Sequence, residues 1–187
     1  YVSGANGRDV ALVRVNADGS LDNTFGIGGG GQNDFGSDEY LQTIVLQPDG
    51  KIVVAGARGS NSNLDFLIVR YLPNGSLDST FGTNGVVITS VTSNTDGIND
   101  IAIQSDGRIV VAGVANYDAS NSQPSQDFAV ARYLPNGALD PLFGNAGIVE
   151  TDLTGLNDAG TTLAIQLDGK IVVGGIAHGW IPPYDFG

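Results

Sequence analysis

The chain has no cysteine, no methionine, one histidine, one tryptophan and only eight Lys and Arg among its 187 residues. Each shortage removes a class of chemistry. Without Cys there is no disulfide, no thiolate nucleophile and no Cys-ligated zinc. A single His, and only Glu39 and Glu150 beside the aspartates, leave little material for general acid–base work. A net charge of −12 argues against nucleic acid, whose phosphates need clustered Lys and Arg. Cations are the more natural partners, although acidity of this size also serves simply to keep a β-rich surface from self-associating. No apolar run approaches the roughly 18 residues of a membrane-spanning helix. The abundance of Gly (28 residues), Asn, Ser and Thr favours turns and strands over helices, so the chain reads as all-β.

What is present is repetition. Asp65-Phe66-Leu67-Ile68-Val69-Arg70-Tyr71-Leu72-Pro73-Asn74-Gly75 returns as Asp127-Phe128-Ala129-Val130-Ala131-Arg132-Tyr133-Leu134-Pro135-Asn136-Gly137, with a looser copy from Asp9 and the opening of a fourth at Asp185. A second block, Gln47 to Gly56, recurs as Gln104 to Gly113 and Gln166 to Gly175. A fixed period of about sixty residues marks units that cannot bury their own apolar faces and must stack on neighbours. The phase, with no leading Met, suggests an interior piece of a longer protein.

Each unit predicts four short antiparallel strands. Leu41 to Gln47 alternates and ends in Pro48-Asp49-Gly50, a strand closed by a tight turn. Lys51 to Ala57 runs apolar without alternation, as expected of a strand covered on both faces. Asp65 to Leu72 and Gly85 to Val91 make the third and fourth. Four strands per unit at this period point to a β-propeller of four-stranded blades, present as a partial ring of about three blade equivalents. The expected division is strands 3 and 4 of one blade in 1–39, full blades in 40–97 and 98–159, and the first half of another in 160–187. Flanking repeats of the same polypeptide, or identical copies, would complete the ring. In the first copy Gly28-Gly29-Gly30-Gly31-Gln32-Asn33 replaces an apolar fourth strand, which predicts irregular pairing there.

The pattern Asp-Phe-x-x-x-Arg-Tyr-x-Pro-Asn-Gly-x-Leu-Asp-x-x-Phe-Gly-x-x-Gly, followed by Gln-x-Asp-Gly-Lys-Ile-Val-Val-Ala-Gly, resembles the delta-60 repeat, a propeller-like unit found in tandem in large bacterial secreted and surface proteins. The resemblance covers essentially the whole chain. It implies a β-propeller and an exported bacterial protein, and carries no general catalytic site.

Several residues invite a functional reading. Gly26-Ile27-Gly28-Gly29-Gly30-Gly31 satisfies the dinucleotide fingerprint, but no helix follows to bind a pyrophosphate, so it reads as a linker entering a strand. Arg14, Arg70 and Arg132 recur inside apolar strands and require partners there; Asp22, Asp78 and Asp140 are the expected structural ion pairs. Asp96, Asp100 and Asp158, in longer polar loops, are weak calcium candidates. His178, Trp180 and Tyr184 form the one nonrepeating cluster and, with Tyr117 and Asp118 of the equivalent loop, mark a variable face suited to binding a glycan or a surface protein. The expectation is a non-catalytic structural, adhesive or protein-interaction scaffold at the bacterial surface. A glycan-binding propeller is the alternative, and a propeller hydrolase or lyase comes third.

Overall fold

The computed structural model describes residues 7–60, 63–117 and 126–178, the side chain of Tyr117 excepted. These residues form strands and turns without a helix. Four antiparallel sheets follow one another along the chain. Sheet I pairs β1 (Val10–Val13) with β2 (Gly30–Asn33). Sheet II is the meander β3 (Asp38–Leu46), β4 (Ile52–Ser60), β5 (Asn63–Tyr71) and β6 (Val86–Thr89). Sheet III repeats it as β7 (Thr95–Ile103), β8 (Ile109–Tyr117), β9 (Asp127–Tyr133) and β10 (Ile148–Thr151). Sheet IV pairs β11 (Asp158–Ile165) with β12 (Ile171–Ala177).

The sheets stack face to face, the first strand of each lying across its predecessor: β7 crosses β3, β4 and β5, and β11 crosses β7, β8 and β9. Sheet II is therefore covered twice, and its strands divide their side chains between two cores. Ile52, Val54, Leu67, Val69 and Tyr71 meet Val10 and Phe25 of sheet I. Val53, Ala55, Phe66, Ile68 and Phe81 meet Ile98, Ile101, Val111, Ala131 and Tyr133 of sheet III. This two-sided cover is the reason β4 shows no polar alternation.

One irregularity repeats in each unit. In the first strand Gln42, Asn99 and Thr161 stand as bulge residues, between Leu41 and Thr43, Ile98 and Asp100, and Gly160 and Thr162. Opposite each bulge is a glycine, and a Cβ on Gly56, Gly113 or Gly175 would lie 1.9 Å from the carbonyl oxygen of Tyr40, Gly97 or Ala159. The recurrent Gly of the second block is thus a steric requirement: the bulge pushes the facing backbone into the space a side chain would take.

The expectation for β2 is corrected. Despite its glycines it pairs regularly, Val10 with Asn33 through Val13 with Gly30. Ladder bonds are made by backbone groups and need no apolar side chain. Val172 also departs from its repeat: Val53 and Val110 are 0% exposed, whereas Val172 is 50% exposed.

Candidate functional site

The Pro-Asn-Gly turns carry the joints between sheets. Leu72 and Gly75 close the turn through Leu72 N–H to Ser76 O at 2.8 Å and Gly75 N–H to Leu72 O at 2.9 Å. Gly75 sits at φ +87°, where a side chain would be strained and would also strike the Phe25 ring. The turn of one unit lies on the Phe-Gly of the unit before: Gly26 N–H donates to Asn74 O and Gly82 N–H to Asn136 O, both at 2.8 Å.

The recurrent arginine locks this contact. Arg70 Nε donates to Asp78 Oδ2 at 2.9 Å, its Nη1 donates to Pro135 O in the following unit at 2.6 Å, and its guanidinium lies 4.3 Å over the Phe81 ring. Arg14 repeats the arrangement with Asp22 at 2.8 Å, Pro73 O at 2.6 Å and Phe25 at 4.7 Å. Arg132 keeps Asp140 at 2.9 Å and Phe143 at 4.6 Å. Asp140 also accepts from Arg108 Nε at 3.0 Å, and Lys51 stands 3.9 Å from Asp78. Burial raises the Asp78 carboxyl, but the Thr80 hydroxyl and amide together with Arg70 outweigh it and hold the carboxyl below its usual range. Each guanidinium thereby lies between a ring and a carboxylate, with a carbonyl added at Arg14 and Arg70, an arrangement that suits its planar set of donors.

The tyrosine after Arg70 and after Arg132 reaches the other way; Val15 stands there in the first unit. Tyr71 Oη donates to Asn33 Oδ1 of sheet I at 3.1 Å, and Tyr133 Oη to Thr89 Oγ1 of sheet II at 2.9 Å. Burial pushes the Tyr133 phenol up to about 12. Arg70-Tyr71 thus grips the unit ahead with one residue and the unit behind with the next.

The loop acids have local partners. Asp96, fully buried, accepts from the amides of Val91, Thr92 and Asn116 and from Thr92 Oγ1, at 2.7–3.1 Å. Asp158 does the same with Leu153 N, Thr154 N and Thr154 Oγ1. Asp100 accepts from Thr162 Oγ1 and Leu163 N of sheet IV at 3.0 and 2.8 Å. The loop placement of these three candidate calcium ligands is corrected: Asp96 and Asp100 both lie in β7 and Asp158 opens β11, and their ligand atoms are not brought together. Among the described residues, the acids whose ligand atoms converge within 4.8 Å are Asp9, Asp34 and Glu39.

On the variable face, His178 follows β12, and both its amide and its Nδ1 lie at 2.9–3.0 Å from Asn157 O. That contact requires the proton on Nδ1. Asn94 Nδ2, in the connection between β6 and β7, donates to Asn116 Oδ1 near the end of β8 at 2.7 Å. Tyr117 ends β8 opposite Thr95. Asp118, Trp180 and Tyr184 lie outside the described residues. The same end is acidic: burial raises the Asp127 carboxyl, helped by Asp152 and Asp158, and burial raises Glu150, helped by Asp96 and Asp127.

Phe25, Phe81 and Phe143 escape a reading that looks only at charges. Their signal was nonetheless present, since each stands eleven residues after its arginine. Asp9, Asp34 and Glu39 leave no such signal, because two of them look like ordinary repeat positions.

Antiparallel sheets of two and four strands stacked in series, clasped at Arg14 and Arg70, are arranged as the blades of a β-propeller are. The chain belongs to the beta-propeller family described as a domain of unknown function, DUF5122, whose model matches residues 1–25, 47–81 and 104–143, just over half of the chain. No curated protein matches the chain significantly.

Proposed function

We propose that the chain is a non-catalytic β-propeller segment of a large secreted or surface bacterial protein, serving as a structural, adhesive or protein-interaction scaffold. The observation that carries this reading is the use made of the strongly placed charges. The arginines are engaged at the joints between repeats, each with a carboxylate and a ring of its own unit, and Arg14 and Arg70 also with the turn of the next. Export and bacterial origin rest on the resemblance to the delta-60 repeat. Flanking repeats, or identical copies, are the natural partners of sheets I and IV, because two-stranded sheets leave backbone donors and acceptors at an open edge.

The alternative is a glycan-binding propeller using the face around His178 and Tyr117 with Asp118, Trp180 and Tyr184; a hydrolase or lyase acting at a ring centre comes third. The observation that supports the alternative is that His178 lies against Asn157, and Asn116 against Asn94, beside the acids Asp96 and Asp158. Incubating the purified chain with immobilised polysaccharides and extracellular proteins separates the three. The scaffold reading expects no release of sugar and protein binding that survives Trp180→Ala. Glycan binding lost with Trp180→Ala supports the alternative, and turnover of any polysaccharide overturns the non-catalytic reading.

A further inference from the structure

Three positions define each joint between consecutive sheets at the loop end. They are the acid that precedes the third strand, the residue that follows the fourth strand, and the second residue before the bulge pair of the next first strand. Register makes them Asp9, Asp34 and Glu39 at the first joint, Asp65, Ser90 and Asp96 at the second, and Asp127, Asp152 and Asp158 at the third.

At the second and third joints the buried acid of the first strand is satisfied from within, although one oxygen of Asp65 and one of Asp127 there are buried without a hydrogen bond. Asp96 and Asp158 accept loop amides and the hydroxyl of Thr92 or Thr154. Asp152 Oδ1 is taken by the amides of Thr154 and Gly155, as Asp34 Oδ1 at the first joint is by that of Gly36. The first joint is different. Its loop is one residue shorter, carries no threonine, and meets a Glu in place of Asp. Glu39 is 4% exposed, and neither of its carboxylate oxygens makes a hydrogen bond. Its nearest cation is Arg58, whose Nε stands 3.6 Å from Oε1 and whose Nη2 is committed to Phe35 O. The carboxylate points instead at two more acids, and one oxygen from each of Asp9, Asp34 and Glu39 falls within 4.8 Å of the others.

We propose that Asp9, Asp34 and Glu39 form a calcium site at the joint between sheets I and II. A buried carboxylate without a hydrogen bond, with a single cation at 3.6 Å and two other acids facing it, is costly on its own. Three carboxylates carry −3 and Arg58 returns +1, leaving −2 for a divalent cation to balance. All-oxygen donors select a hard cation. Ligand oxygens within 4.8 Å of one another can all be reached by a single ion, and calcium takes carboxylates in flexible geometry where magnesium demands a near-ideal octahedron. Asp34 is exposed, which leaves a way in for the ion and room for water to complete its shell. Gln32 Nε2 already donates to Asp9 Oδ2, leaving Oδ1 as the ligand. A site of three carboxylates without a closing bidentate loop belongs at the weak end of calcium affinities, about 10⁻⁴ to 10⁻³ M.

The test uses the 187-residue chain and terbium(III), a luminescent calcium surrogate that nearby tyrosines sensitise, with displacement by Ca²⁺ and by Mg²⁺. The expected result is saturable one-site binding, displaced by Ca²⁺ at concentrations at least tenfold below those required of Mg²⁺. Asp34→Ser copies the residue of the second joint and should fold normally while weakening binding at least tenfold; Glu39→Gln should do the same. Asp152→Ser, at the third joint, should bind as wild type. Calcium should raise the thermal midpoint of wild type and not of Asp34→Ser, since only a ligand bound to the folded state shifts it. Absence of saturable binding, wild-type affinity in Asp34→Ser, or loss confined to Asp152→Ser each overturns the site. None of these outcomes bears on the scaffold reading, which turns on the binding and turnover screen.

Discussion

Sheets II and III are complete and sheets I and IV are two-stranded, and the same sequence behaves differently in the two settings. Ile101 of β7 lies across a four-stranded neighbour and is 6% exposed; Ile44, its counterpart in β3, lies toward two-stranded sheet I and is 59% exposed. Val110 is 0% exposed in β8, which has strands on both sides, and Val172 is 50% exposed in β12, which has one. The arginine joint follows suit, with Arg70 at 6% side-chain exposure and Arg14 at 38%. Apolar pattern states what a strand is able to bury. Burial itself depends on the neighbour supplied.

The contrast can be broken most forcefully with a charge. Val110→Asp places an unpaired carboxylate in a closed core and should cost about 3–5 kcal/mol, unfolding sheet III. Val172→Asp should cost about 1 kcal/mol or less, since half of that side chain already meets water. Chemical denaturation of both variants measures the difference, and equal losses would show that sheet IV is covered in solution. Hydrogen exchange sharpens the same point: if copies or flanking repeats complete the ends, the β12 amides should become as protected as those of β8, and sedimentation should show association.

Gly113→Ala comes next. Its Cβ would meet the Gly97 carbonyl at 1.9 Å, so the bulge must open, at a cost of roughly 2–4 kcal/mol. The same change at Gly175 meets the same obstacle but a less constrained sheet, and its cost should be smaller.

Arg70→Met removes a buried cation while keeping its stem and leaves Asp78 with only Lys51 at 3.9 Å, so a loss of about 3 kcal/mol is expected. Arg14→Met should lose clearly less. This pair also sets the acid response. Asp78 and Asp140 have lowered carboxyl pKa values in the folded chain, so their contribution is present above the unfolded carboxylate pKa of about 4 and is lost as pH falls through the lowered folded value. Thermal midpoints followed from pH 5 to pH 2 should fall in wild type and fall less steeply in Asp78→Asn.

The smallest effect has the opposite sign. Ala146 occupies a left-handed position, φ 51°, that Asn84 fills in sheet II and Gly28 in sheet I. Ala146→Gly should raise stability by about 1 kcal/mol, because it relieves a strained alanine without touching a contact. No change in the midpoint would mean that the turn relaxes elsewhere.

The repeat period, the four strands, their Asp-Gly and Asn-Gly turns and the pairing demanded by a buried arginine were all legible in the sequence, because each depends on residues close in the chain or on the cost of an unpaired charge. The bulge was only half legible: Gly56, Gly113 and Gly175 were visible as repeats, but their reason is a carbonyl on the facing strand. The far ends of the joints were not legible at all. Arg14 finds Pro73 O and Arg70 finds Pro135 O at separations of 59 and 65 residues, set by the stacking of one sheet on the next. Nor could spacing tell that Asp9, Asp34 and Glu39 converge while Asp127, Asp152 and Asp158, at the same three positions, do not. The sequence by itself determined the unit, since strand and turn preferences are local. Only the tertiary structure decided which apolar faces are covered and which carboxylates are left to face one another, because both depend on a neighbouring sheet and on loops whose lengths differ by a single residue.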